Sequence, residues 1–134
     1  MSTVRLSYKE ASFRRVWQAY KSRAKTKGLL WDLTPDQTRL LLTSACWYCG
    51  AGPQRVITLP GRFMCQAALP DEERFICNGL DRIDNTAAYG LSNVFPCCQA
   101  CNMMKGTMPF EVFLQHVSDI HRHVTSKKRL PCLN

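Results

Sequence analysis

Two pairs of cysteines constrain the fold of this chain more than any other feature of its sequence. Each pair encloses two residues: Cys46-Trp-Tyr-Cys49 in the first half of the chain and Cys98-Gln-Ala-Cys101 in the second. This spacing lets both thiolates of a pair reach one ion at about 2.3 Å from a tight turn, and Zn²⁺ takes four such ligands as a tetrahedron. The sequence therefore predicts a structural Zn²⁺ site that joins two distant segments.

A thioredoxin-like redox site is the competing interpretation of a CxxC sequence. It requires a single pair within a surrounding βαβ pattern, whereas this chain has two pairs and lacks that pattern. Cys97 is an alternative ligand to Cys98, but its spacing to Cys101 fits less well. We interpret the other cysteines as small buried or exposed thiols; they are Cys65, Cys77 and Cys132.

The composition favours one folded domain with a polyanionic partner. With 134 residues, 46% of them hydrophobic, the chain can form one modest core. Eighteen Lys and Arg against ten Asp and Glu give a net charge of +8, which favours nucleic acid over anionic lipid. No apolar run is long enough for a membrane span, and the N-terminus lacks the apolar core of a signal peptide. We therefore expect an intracellular protein, cytoplasmic or nucleoid-associated, with no membrane partner.

Residues 8–27 are predicted to form a basic amphipathic helix. Apolar residues recur there at i, i+3, i+4 and i+7, and Glu10 is the one acid among the first 30 residues. Such a charge run is often only a solvated face, but the shortage of acids favours phosphate contacts. The candidate nucleic-acid-binding residues are Arg14, Arg15, Lys21, Arg23, Lys25 and Lys27, with Lys127, Lys128 and Arg129 in a basic tail over 126–134.

Two further helices are predicted on either side of the cysteine region. Thr34 and Gln37 form a capping box that begins a short helix, so residues 8–44 carry two N-terminal helices. A loop with one short strand near 55–59 follows. The C-terminal helix, within 107–125, is predicted to have an apolar face. His121 is expected to pack beside that face, and His116 and His123 to face solvent; the face comprises Phe110, Phe113, Leu114, Val117 and Val124.

The segment 45–106 combines the cysteine pairs with a hairpin and a helix. We predict a strand over 79–84, a wide connection over 84–90, and a return strand over 93–95 that Pro96 ends. A helix from about Gln99 to Gly106 follows and carries Asn102 and Lys105. The predicted fold class is α+β: a single domain, 1–134, with a small zinc-stapled ββα core, an N-terminal basic helix, a second short helix and a C-terminal helix.

The motifs NGLDRIDN, residues 78–85, and NVFPCCQACNMMK, residues 93–105, resemble a known family. They are similar to the HNH endonuclease superfamily of zinc-supported ββα-metal nucleases, and most closely to a phage- and virus-type branch with DRID instead of the His-containing motif. The resemblance extends over residues 8–120. It implies a DNA endonuclease of a phage, virus or mobile element that hydrolyses phosphodiester bonds with Mg²⁺ or Mn²⁺.

The resemblance also implies roles for individual residues. Asp81 and Asn102 match the ligands of the catalytic cation, and Asn93 matches the residue that holds the hairpin and orients the base. Arg82 stands where relatives have the His that deprotonates water, which a guanidinium cannot do. Arg82 is instead expected to stabilise transition-state charge. Lys105 is expected to contact a neighbouring phosphate or to be an ordinary exposed lysine.

Other interpretations stay open. Asp84 is a candidate replacement base or a partner of Arg82 on the same strand face. Asp81, Arg82 and Asp84 can equally form a charge cluster that stabilises the hairpin of a catalytically silent, zinc-containing nucleic-acid-binding protein. RNA is an alternative to DNA as the partner. Cleavage of both strands of a duplex would favour a homodimer.

Overall fold

The computed structural model describes residues 5–60 and 68–127. Its helices are α1 (Tyr8–Thr26), α2 (Pro35–Leu42), α3 (Gln99–Lys105) and α4 (Phe110–Ser126). Its strands are β1 (Arg55–Val56), β2 (Ile76–Cys77), β3 (Gly79–Arg82) and β4 (Val94–Cys97), and a 3₁₀ turn, Asp71–Glu73, precedes β2. Strands β1 and β2 form one antiparallel pair, and β3 and β4 form another. The predicted mixture of helices with a small amount of strand is confirmed.

Helix α1 forms where the apolar periodicity predicts it. The Ser7 hydroxyl caps it by accepting a 3.1 Å hydrogen bond from the Glu10 N–H. Gly28 follows its end with φ +67°, a left-handed conformation that favours glycine. The apolar face of α1 is buried in a core with residues from α2, the strands and the loops between them; its buried core side chains are Phe13, Val16, Tyr20 and Ala24.

The start of α2 is also confirmed. The Thr34 hydroxyl accepts a 3.2 Å hydrogen bond from the Gln37 N–H, and the Gln37 side chain accepts a 2.9 Å bond from the Thr34 N–H. This reciprocal cap fixes the first turn, and Leu42 at the last turn is fully buried. Helix α2 thereby brings the chain to the first cysteine pair.

The β3–β4 hairpin has different ends from those the sequence predicts. Strand β3 ends at Arg82 instead of residue 84, and β4 continues through Pro96 to Cys97. The Ile83 N–H donates to Asn93, so by alternation Pro96, opposite Leu80, occupies a non-hydrogen-bonded position. Pro96 needs no N–H there, which is why it does not end the strand.

Helix α4 contacts the rest of the molecule mainly through its first turns. Phe113 is its buried residue, whereas the later apolar side chains are exposed. His116 and His123 face solvent as predicted, but His121 is exposed as well, so the prediction that it packs is wrong. The physical reason is that nothing in the described residues covers this part of the helix. None of the described helices is long and apolar enough to span a membrane.

Candidate metal centre and the ββα unit

The four cysteines of the two CxxC pairs converge on one point. Their sulfur atoms all lie within 4.8 Å of one another. The Sγ atoms of Cys49 and Cys98, one from each pair, are 3.7 Å apart. Two ligands at about 2.3 Å from a tetrahedral ion are separated by about 3.8 Å, so this spacing fits a four-thiolate metal site. The predicted convergence is therefore confirmed, and these four residues can hold a metal ion such as Zn²⁺.

Backbone geometry preforms both sides of the cluster. In the first pair the Gly50 N–H donates to the Cys46 carbonyl oxygen, and Gly50 adopts φ +75°, which closes the turn. In the second pair Cys98 is the N-cap of α3, and its sulfur accepts a bond from the Cys101 N–H. The Trp47 N–H donates to the Pro96 carbonyl at 2.8 Å and fixes the first pair to β4.

Thiol ionisation within the cluster is uneven. Burial opposes ionisation of Cys46, but backbone N–H groups of Cys98, Cys49 and Tyr48 outweigh it and lower the Cys46 pKa to about 6. Burial and hydrogen bonding with the Cys98 and Cys49 sulfurs raise the pKa of Cys101. The Cys46 thiol therefore ionises easily, whereas burial and the neighbouring sulfurs keep the Cys101 thiol protonated. A divalent cation would remove this conflict by compensating the thiolate charges.

The cysteines outside the pairs behave differently. Cys97 is buried and its Sγ lies 3.4 Å from the Cys98 carbonyl oxygen, outside the four-sulfur cluster. Burial, followed by the nearby Cys46 sulfur, raises its pKa to about 12. Cys77 is buried in the main core, as predicted for a small thiol. Cys65 and Cys132 lie outside the described residues. Cys98, not Cys97, is thus the residue in the cluster.

Asp81, the candidate ligand of a catalytic cation, is buried and has both carboxylate oxygens engaged. The Tyr48 hydroxyl donates to Oδ2 at 2.6 Å, and the Lys105 ammonium lies 3.2 Å from Oδ1. Burial and the bond to Asp81 raise the pKa of Tyr48, so the hydroxyl keeps its proton. Lys105 also donates to the Arg82 carbonyl oxygen at 3.4 Å. The Asp81 carboxylate is therefore neutralised by a buried ammonium.

This arrangement corrects the prediction for Lys105. Lys105 was expected at the surface, contacting phosphate or solvent, but it is 1% exposed. Lys105 lies one turn after Asn102 on α3. Its side chain points toward the β3–β4 hairpin, where the buried Asp81 carboxylate is its partner. Asn102 is exposed and makes no side-chain hydrogen bond in the described part of the chain. The pair Asp81 and Asn102 therefore does not fit a ready-made divalent cation site.

Arg82 is buried and holds the hairpin connection. Its Nη1 donates to the carbonyl oxygens of Asn85 at 2.7 Å and Ala87 at 3.3 Å. The guanidinium carbon lies 4.7 Å from the centre of the Tyr89 ring, a cation–π distance. These contacts fix the connection to the end of β3, and they give Arg82 a structural role in the folded chain.

Asn93 closes the same connection from the other side. Its Oδ1 accepts from the Asp84 N–H at 2.8 Å, and its Nδ2 donates to the Asp84 and Ala88 carbonyls at 3.0 Å each. These bonds hold the hairpin together as expected, and the expected role of Asn93 in orienting a base stays a prediction. Asp84 is exposed in the turn, not on a strand face with Arg82, because β3 has already ended. Hydrogen bonds from Thr86 lower the pKa of Asp84.

The candidate nucleic-acid-binding residues of α1 differ in their pairing. Arg14 lies 3.2 Å from Glu10. Lys21 lies over the Trp17 ring at 4.6 Å. The remaining candidates on and just after α1, together with Lys127, are exposed and make no ion pair within the described residues; they are Arg15, Arg23, Lys25 and Lys27. Lys128 and Arg129 lie outside the described residues.

The residues that sequence reasoning missed are Tyr48 as the partner of Asp81 and Arg55 beside the basic helix. Tyr48 lies inside the first CxxC spacer, and no local pattern relates it to a strand 33 positions away. The sequence does carry a signal for the unusual position of Lys105. It is the charged residue of α3, a helix whose other residues are uncharged.

Comparisons with known proteins place the chain beside a viral protein. It is 33% identical over 98 residues to an uncharacterized protein of Acanthamoeba polyphaga mimivirus. The match covers 73% of this chain but spans only 15% of the length of the viral protein. No family model matches the chain, and no solved structure matches it. The viral similarity fits the expected viral origin, and it does not test the family resemblance of the motifs.

Proposed function

We propose that this chain is a zinc-stapled nucleic-acid-binding module built on an HNH-like ββα scaffold and that it binds without cleaving. One observation carries the choice of binding over cleavage: the buried ammonium of Lys105 neutralises Asp81, the residue that the HNH resemblance assigns to the catalytic cation. A cation at Asp81 would compete with the Lys105 ammonium, which lies 3.2 Å from Oδ1, while Oδ2 accepts the Tyr48 hydrogen bond.

The charge distribution supports nucleic acid as the partner. The net charge is +8, and exposed cations without ion pairs are concentrated on and just after α1. Binding by such residues releases counterions, so the affinity should fall steeply with salt concentration. Arg82 supports the other part of the proposal, binding without cleavage. Its guanidinium donates to two carbonyl oxygens and cannot accept a proton from water.

A metal-dependent DNA endonuclease is the second candidate. The antiparallel β3–β4 hairpin followed by α3 favours it, because this is the element order that the HNH resemblance implies. Under this candidate the exposed Asn102 side chain would bind the catalytic cation together with a phosphate of the substrate. The viral relative is uncharacterized and does not discriminate between the candidates.

Two measurements on the zinc-loaded protein separate the candidates. Fluorescence anisotropy with labelled DNA and RNA oligonucleotides measures binding, and conversion of supercoiled plasmid measures nicking in Mg²⁺ and in Mn²⁺. We expect salt-sensitive binding and no nicking above that of the Asn102→Ala variant. This variant is the sharpest control because Asn102 is exposed and forms no side-chain hydrogen bond in the described residues, so its removal should leave the fold intact.

Nicking by the parent protein that Asn102→Ala abolishes would overturn the binding proposal in favour of the endonuclease. Absence of binding at low salt would overturn it as well. Arg82→His adds a third comparison, since it restores the histidine that the resemblance expects. We expect it to create no nicking, because Asp81 remains paired with Lys105.

A further inference from the structure

A groove between α1 and the β1 segment has an unusual lining of arginines. Its volume is about 280 Å³. Arg15, Ala19 and Arg23, at four-residue intervals on α1, line one side, and Arg55 and Thr58 line the other. Eight residues of helix extend about 12 Å. At about 3.4 Å of duplex axis per phosphate of one strand, this length corresponds to about three to four phosphate spacings.

The arginines of this groove lack the ion pairs that other arginines make. Arg14, Arg39, Arg74 and Arg122 each pair with a carboxylate. All ten acidic residues lie in the described part of the chain, and none of them forms an ion pair with the three groove arginines. The three groove arginines are, moreover, exposed. Their positive charge is therefore available to an external anion.

Contacts with the core hold the groove in shape. Arg15 donates to the Thr58 carbonyl oxygen, which fixes α1 to the opposite side. The Arg23 guanidinium lies 5.1 Å from the centre of the Tyr20 ring. The Tyr20 hydroxyl oxygen accepts a 3.0 Å bond from the Leu80 N–H of β3. The ring that supports Arg23 is thus anchored to the ββα unit, which reduces the ordering cost of binding.

The positive charges of Arg23 and Arg55 both influence Tyr20, which lines the same groove. Burial raises the pKa of Tyr20; the Leu80 N–H bond opposes this rise most, followed by the positive charges of Arg55 and then Arg23. Both guanidiniums therefore lie near one hydroxyl group, although they come from different elements. Planar guanidiniums bind phosphate oxygens with two parallel hydrogen bonds, a geometry that lysine cannot reproduce.

We infer that the groove formed by Arg15, Arg23 and Arg55 binds the phosphodiester backbone of a nucleic acid, largely independently of base sequence. This inference rests on the proposed nucleic-acid binding and narrows it to one surface. Lys25 and Lys27 do not line the groove, and they add only nonspecific electrostatic attraction to the nucleic acid. The chemistry is common to DNA and RNA, so both are used as probes.

The test compares two double variants that remove the same charge. Arg23→Ala with Arg55→Ala removes two groove arginines, and Arg15 stays because it also links α1 to Thr58. Arg74→Ala with Arg122→Ala removes two arginines that already have carboxylate partners and are not among the candidate nucleic-acid-binding residues. Binding of labelled duplex DNA and of RNA of the same sequence is measured by anisotropy between about 50 and 200 mM salt.

We expect the groove variant to weaken binding at least tenfold and to lower the slope of log Kd against log salt by about two, at roughly 0.9 per phosphate contact. The control should change Kd less than about threefold, because its arginines make no direct phosphate contact. Replacing Arg23 and Arg55 with lysine should give intermediate affinity, since charge remains but paired hydrogen bonds are lost. Circular dichroism confirms that each variant is folded.

The possible outcomes distinguish the inference from the proposal beneath it. Equal weakening in both double variants would overturn the groove and leave general charge attraction. No binding by the parent protein would overturn the proposed function itself. Weakening of DNA binding alone or of RNA binding alone would support the groove and identify which backbone it accepts.

Discussion

At the scale of single residues, the Lys105 ammonium and the Asp81 carboxylate form a buried pair 3.2 Å apart. Lys105→Met leaves the carboxylate buried without its counter-ion, and removal of one partner of such a pair costs about 3–5 kcal/mol. We therefore expect the free energy of unfolding to fall by that amount. Urea denaturation of the zinc-loaded protein, followed by circular dichroism, measures it.

The double variant Asp81→Asn with Lys105→Met provides the control. It removes both charges, and the Asn side chain can still accept the Tyr48 hydrogen bond, so part of the lost stability should return. A double-mutant cycle then gives the coupling energy of the pair. If the urea midpoint of Lys105→Met equalled that of the parent protein, the ion pair would make no contribution to stability.

Asn93 makes a second residue-scale prediction. Its side chain makes three hydrogen bonds with backbone groups of Asp84 and Ala88. Asn93→Ala leaves these groups without their partners, at about 1–3 kcal/mol for each one that stays buried. We expect faster amide hydrogen exchange over 83–93 and a lower free energy of unfolding. Asn85→Ala is the matched control, because the Asn85 side chain is exposed and it is the backbone carbonyl that binds Arg82.

The elements show which parts of this fold local sequence determines. Helix α2 could be predicted because Thr34, Pro35 and Gln37 carry its cap within four residues. The ends of β3 and β4 could not, because Pro96 is tolerated only through its register with Leu80. The same limit applies to the site: the CxxC spacing identifies the four cysteines that can hold a metal ion, whereas the Tyr48–Asp81–Lys105 contacts depend on how three separate elements pack.

At the same scale, Glu10 connects two helices and makes stability dependent on pH. Its carboxylate lies 2.5 Å from Arg39 of α2 and 3.2 Å from Arg14 of α1. Partial burial raises the Glu10 pKa, but hydrogen bonds from Arg39 and Arg14 outweigh it, so the folded-state pKa lies below 4.5. A lowered pKa means that the stabilisation is complete above the unfolded-state pKa and is lost as pH falls through the folded-state pKa.

Glu10→Gln should therefore lower the free energy of unfolding by about 0.2–1 kcal/mol at pH 7, the range for a solvent-screened pair. The difference from the parent should shrink as the pH falls below 4.5, where the parent carboxylate becomes protonated. Thermal unfolding at a series of pH values measures this. A difference that stayed constant down to pH 3 would show that the charge of Glu10 is not responsible.

For the whole molecule, the four-sulfur cluster connects the part of the chain that follows α2 with the β4–α3 junction. A small hydrophobic cluster of its own surrounds it, separate from the core that contains α1. The four-sulfur cluster and the α1 core are therefore connected by β3, whose Leu80 packs in the core while its Asp81 pairs with Lys105 of α3. Loss of the metal should weaken the module first and, through β3, the groove beside Tyr20.

Zinc removal tests this connection. Structural Zn²⁺ sites contribute about 10–16 kcal/mol of binding free energy in small domains, more than a chain of this size can replace. We expect one zinc per chain by elemental analysis, and we expect chelation or Cys49→Ser to abolish cooperative thermal unfolding and weaken nucleic-acid binding. Cys77→Ala is the matched control, because Cys77 is buried outside the cluster and should retain the metal. Metal retention by Cys49→Ser with loss in Cys77→Ala would contradict the assigned ligands, since Cys49 belongs to the four-sulfur cluster and Cys77 does not.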